Sequence, residues 1–127
     1  MQSLDQFGFT FALPDGFETY DAGMAFSAQR TAPVGFLTVE PFDGEAPAYD
    51  TYPAREGETL SIQMVGEVEV LVVENAALSG LPPGVSANEL IVNNGGASFS
   101  LILSSDEAAL GEAWSTVMDS ATIAVSK

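Results

Sequence analysis

The chain has 127 residues, with 18 acidic side chains against 3 basic ones, a net charge of −15, and neither cysteine nor histidine. The charge repels phosphate backbones and anionic bilayers, so nucleic-acid binding is not expected. Without Cys or His there is no disulfide, no thiolate or imidazole metal site, no cysteine nucleophile and no Ser-His-Asp catalysis.

The length predicts one domain over residues 1–127, large enough to bury about two-thirds of its unfolded surface. No run approaches the roughly 18 apolar residues of a membrane span. Met1-Gln2-Ser3-Leu4-Asp5 shows no basic or apolar leader. The sequence leaves the compartment open: exported or periplasmic if a leader has been removed, otherwise cytoplasmic.

Taken in order, Phe7, Phe9, Phe11 and Leu13 alternate with Gly8, Thr10 and Ala12, which predicts a strand with an aromatic inner face. Pro14-Asp15-Gly16 is a turn. A short strand over 17–20, a turn at Asp21-Ala22-Gly23, a strand over 24–29 and another over 34–40 follow. Residues 42–58 show no period and mix Pro47, Pro53, Gly44 and Gly57 with acids and two tyrosines. An irregular connection of that length inside a compact domain is uncommon and often functional. Leu60, Ile62 and Met64 then alternate with Thr59, Ser61 and Gln63, and Val68, Val70 and Val72 with Glu67, Glu69 and Leu71. A three-residue loop, Val65-Gly66-Glu67, places both sets on one face and pairs Met64 with Val68 and Ile62 with Val70.

The last third is the clearest. Asn94-Gly95 between apolar runs predicts a two-residue hairpin turn pairing Val92 with Ala97 and Leu90 with Phe99. Ser104 and Glu107 have the spacing of a capping box. Leu110, Ala113, Trp114, Val117, Met118 and Ala121 form one stripe of an amphipathic helix. Ile123 and Val125 predict a short return strand. The expected class is α+β: a single antiparallel β-sheet of about 6–8 strands with the C-terminal helix packed on one face.

The opening Leu13-Pro14-Asp15-Gly16-Phe17 and the strand, turn, tryptophan-bearing helix and strand over 99–123 resemble the PsbP/Mog1-like α/β/α sandwich group of small bacterial proteins. The chain differs from that group in lacking a helical pattern between Glu40 and Leu60. The resemblance implies an accessory, partner-binding role, in some members exported or lipid-anchored, with no shared catalytic residues.

No P-loop or dinucleotide fingerprint is present. Lysine occurs only at position 127, which argues against a buried Schiff-base lysine. Carboxylates remain. Asp43, Glu45 and Asp50 lie within one irregular stretch and are the candidate calcium ligands, calcium being a hard cation that takes several oxygens. Tyr49 and Tyr52, between Pro47 and Pro53, are the candidate partner-binding pair, since loop aromatics are enriched at interfaces. Either ring could instead fold down onto the sheet. The expected function is a non-catalytic binding or accessory domain that contacts a protein partner, with no required cofactor. The alternative is a calcium-binding protein or a carboxylate-based enzyme.

Overall fold

The computed structural model describes residues 1–21, 23, 25–42 and 48–125. Among these it has ten strands and one α-helix: β1 (Gln2–Leu4), β2 (Phe9–Phe11), β3 (Glu18–Thr19), β4 (Phe26–Arg30), β5 (Gly35–Pro41), β6 (Thr59–Val65), β7 (Val68–Glu74), β8 (Val85–Val92), β9 (Phe99–Asp106), α1 (Glu107–Ser120) and β10 (Thr122–Ile123). The strands form two antiparallel sheets. One has seven strands in the order β3-β4-β5-β9-β8-β7-β6, and the other has three in the order β1-β2-β10.

This corrects the single-sheet α+β expectation. Over the described residues the chain is mostly β, with 44% strand and 16% helix, and it holds two antiparallel sheets and one helix, not a single sheet. The physical reason is width. Seven strands about 4.8 Å apart span roughly 29 Å, while one helix with its side chains is about 10–12 Å across. The helix alone cannot roof that face. The aromatic face of β2 completes the roof by stacking on the large sheet, not by joining it. Phe7 and Phe9 each lie 4.8 Å from the Phe99 ring, and Phe11 meets Phe26 edge-on at 5.5 Å.

The first core is therefore a sandwich. Leu37, Val39, Val70, Val72, Leu90, Val92, Phe99, Leu101 and Leu103 of the large sheet pack against Phe7, Phe9 and Phe11, and against Leu110, Ala113, Trp114 and Val117 of α1. The return strand β10 pairs with β2. Its Thr122 hydroxyl hydrogen-bonds Thr10 across that pair. The two chain ends thus build the small sheet together.

The opposite face of the large sheet is also apolar. Leu71, Val73, Ala76, Ala87 and Ile91 form a second cluster, covered by Phe42, Tyr49, Tyr52, Leu60, Leu78, Leu81 and Ile102. Burial on both faces explains the unbroken runs Val70-Leu71-Val72-Val73 and Leu90-Ile91-Val92, all buried.

Three local expectations change. Val92 pairs with Phe99 and Leu90 with Leu101, because residues 93–98 make a longer loop with a short 3₁₀ turn at Gly95–Ala97. The shift is two residues, so the inner face is kept. The helix begins at Glu107, capped by Asp106, whose carboxylate accepts from the Ala108 amide at 3.1 Å. Ser104 instead continues β9 and is buried. Last, Val65 pairs with Val68 and Ile62 with Leu71 across a two-residue turn at Gly66-Glu67, where Gly66 has φ 62°. A glycine at the first central position suits the tight turns that join twisted strands. The pairing moves Ile62 and Met64 to the face opposite Val68 and Val70.

Candidate functional site

The segment before β6 is anchored to the second face by its own polar groups. Tyr49 opens a short 3₁₀ turn, Tyr49–Thr51, and its ring is half-buried in the second cluster. Its hydroxyl accepts from the Asn93 amide at 2.6 Å and donates to the Glu69 carbonyl at 3.0 Å. Strands β7 and β8 pair only from Leu71↔Ile91 to Val73↔Glu89. Two residues beyond Leu71 and Ile91, the next ladder bond would join Glu69 and Asn93 directly. The tyrosine hydroxyl sits between them and satisfies both backbone groups. Burial, and the nearby Glu69 charge, hold this phenol above its usual pKa against the opposing pull of the Asn93 amide.

Tyr52, also half-buried, stands beside an ionic cluster. Glu58 has 0% of its side chain exposed. Its carboxylate accepts from the Arg55 amide at 2.7 Å, from Arg55 Nε at 2.9 Å and from the Ala77 amide at 2.8 Å. The Arg55 guanidinium, 44% exposed, lies 2.7 Å from Glu58 and 3.9 Å from Glu89. Burial works to raise the pKa of Glu58, but the hydrogen bonds and the guanidinium outweigh it and hold the carboxyl below the ordinary range. Glu89, on β8 with a side chain 13% exposed, is pushed up by burial and by Glu58, with Arg55 only partly offsetting this. Burial and the Glu89 charge likewise raise Tyr52. Two carboxyls with opposite shifts can divide acid and base roles. Here every hydrogen bond of Glu58 goes to the chain itself and its carboxylate is covered. The cluster clamps residues 55–58 to the 77–89 region.

Arg30 is likewise engaged within the fold. It donates to the carbonyls of Pro33 at 2.7 Å and Asp15 at 2.9 Å and to Ser105 Oγ at 3.1 Å, and it stacks 4.6 Å over the Phe17 ring. Phe17 in turn lies against Gly35, where a Cβ would come within 2.6 Å of the ring.

Of the candidate calcium ligands, Asp50 is exposed in the 3₁₀ turn, while Asp43 and Glu45 lie outside the described residues. Among the described residues, no three acidic side chains converge as a metal site would require. The partner-binding candidates Tyr49 and Tyr52 are brought together, but on the inner side of their segment, packed on the sheet.

The exposed feature is next to them. Strand β6 is an edge of the seven-stranded sheet, seven residues long, and Thr-Leu-Ser-Ile-Gln-Met-Val carries no charge and no proline. Ile62 is 52% and Met64 60% exposed. The Val65–Val68 pair closes a two-residue turn, so its members exchange ladder hydrogen bonds. Alternation then sends the backbone N–H and C=O of Gln63, Ser61 and Thr59 inward to β7, and those of Leu60, Ile62 and Met64 outward. Among the described residues, no other segment pairs with that outer edge. Sequence reasoning missed this edge because strand order depends on distant pairings. The absence of charge over 59–65 was the one signal present.

Comparison of the chain with protein-family models and with curated proteins yields no match.

Proposed function

We propose that this protein is a non-catalytic binding domain that takes up an extended segment of a protein partner along β6. The observation that carries the reading is the uncharged edge strand with outward-facing backbone groups at Leu60, Ile62 and Met64 and with Ile62 and Met64 exposed beside them. An unprotected edge is a template for another strand. In strand addition, main-chain hydrogen bonds supply affinity and alternate side chains supply selectivity. Natural edges usually carry lysine, proline or a bulge that blocks such pairing, and β6 carries neither lysine nor proline. The clamp formed by Tyr49 and by the Arg55–Glu58 pair supports the same reading, since it keeps residues 48–58 on the sheet face and off this edge.

The test is a photo-crosslinking amino acid placed at the exposed Gln63, activated in native extract. Adducts are expected from the parent protein and are lost when Ile62→Pro is added. Proline there removes an outward N–H and no ladder bond to β7. An adduct pattern unchanged by Ile62→Pro, in a variant that keeps its fold, would exclude the edge as the docking site.

A further inference from the structure

We infer that the segment added at β6 is cationic and alternately apolar, a Lys- or Arg-rich stretch of extended chain; this rests on the strand-addition reading above. The two sides of β6 differ. On one, Leu60, Ile62 and Met64 present apolar surface, so the incoming strand places apolar residues there, every second position. On the other, Thr59, Ser61 and Gln63 offer polar side chains and no charge of their own.

The charges that frame the edge all have one sign. Glu67 stands in the turn at one end, Glu74 lies opposite Thr59 at the other, and Glu69 lies opposite Met64; all three are exposed. The cation that precedes the strand, Arg55, is held by Glu58 at 2.7 Å. Basic side chains on the incoming segment lie on the Thr59, Ser61 and Gln63 side, which Glu74 shares, with Glu67 in the turn at the other end, and no basic residue on β6 or β7 competes with them.

A second copy of this chain fits less well. Antiparallel pairing of β6 with itself would set the acidic turn of one copy beside the acidic far end of the other, between molecules that each carry −15. At physiological ionic strength, charges closer than about 8 Å are incompletely screened. Complementary charge also speeds encounter and rejects like-charged partners.

Calorimetric titration of the full chain with two synthetic peptides of equal length tests this, one alternating lysine with valine and the other glutamate with valine. The expected result is binding of the lysine peptide at least about tenfold tighter than the glutamate peptide. That binding should weaken as ionic strength rises from about 0.01 to about 0.1 M, where the Debye length falls from about 30 to about 10 Å. It should be lost in Ile62→Pro. Because proline could disturb folding, Ile62→Lys plus Met64→Lys serves as a second variant at two exposed positions, and it too should lose the lysine peptide. Equal, edge-dependent binding of both peptides overturns the charge assignment and leaves strand addition standing. Lysine-peptide binding that survives both variants overturns it as well, as general attraction to an acidic surface. A dimer of the unliganded chain that dissociates in Ile62→Pro names the second copy as occupant and overturns it. If neither peptide binds, the cationic segment is wrong, and the Gln63 crosslink separately decides whether the edge takes any partner.

Discussion

Glu89 and Glu58 show how two identical side chains a short distance apart acquire opposite tendencies. Glu58 is covered but receives three hydrogen bonds and an ion pair, so its charged form is favoured in the folded state. It stabilises the fold at pH values above the ordinary carboxylate pKa, and that contribution is lost as pH falls through its lowered value. Glu89 is covered with one distant guanidinium, so its neutral form is favoured. Its contribution has the reverse sign, being fully present below the unfolded pKa and lost as pH rises through the raised folded value. Replacing Glu89→Gln removes a charge that the fold disfavours. The variant is expected to be more stable than the parent at neutral pH, with the difference shrinking as pH is lowered into the carboxylate range. Urea unfolding at a series of pH values measures this; a difference that grows on acidification would contradict the assignment. Neither behaviour is legible in the sequence, where Glu58 and Glu89 are two of 18 acidic residues. They depend on Arg55 and the Ala77 amide around Glu58, and on burial, Arg55 and Glu58 around Glu89.

Among the elements, the pair β7–β8 is the one most altered by a single atom. Its ladder stops at Leu71↔Ile91, and the Tyr49 hydroxyl carries the connection one step further through the Asn93 amide and the Glu69 carbonyl. Removing the hydroxyl in Tyr49→Phe leaves a donor and an acceptor to find water or each other. Because the ring is only half-buried, the cost should be close to the net value of one hydrogen bond, about 1 kcal/mol, below the roughly 1–3 kcal/mol of a fully buried orphan. Denaturant unfolding reads the loss, and hydrogen exchange should show faster exchange at Asn93 with little change at Leu90. The helix is the opposite case, an element its own residues announce. The stripe of Leu110, Ala113, Trp114 and Val117 is buried as its period requires. Its start was displaced from the Ser104 region to Asp106 because β9 needs Ser104 and Ser105 to pair with β5 and β8. A sheet ladder outweighed a capping pattern.

At the scale of the molecule, a net charge of −15 with few internal cations means that folding gathers like charges into a small volume. Salt screens that repulsion, so the melting temperature should rise with sodium chloride between about 0.01 M and about 0.15 M ionic strength. A flat or falling profile in differential scanning calorimetry would mean that the acids are already well separated or paired. The sequence alone determined several of the strands through their two-residue alternation, the helix through its apolar stripe, and the exclusion of cysteine and histidine chemistry, because these are local or compositional properties. Only the tertiary structure decided that there are two sheets, that both faces of the larger one are covered, that Tyr49 and Tyr52 point inward, and that β6 is left at an edge. Those outcomes depend on which distant strands pair and on how much apolar width one helix can cover. Neither is written in the spacing of neighbouring residues, and the site proposed here lies where that long-range pairing stops.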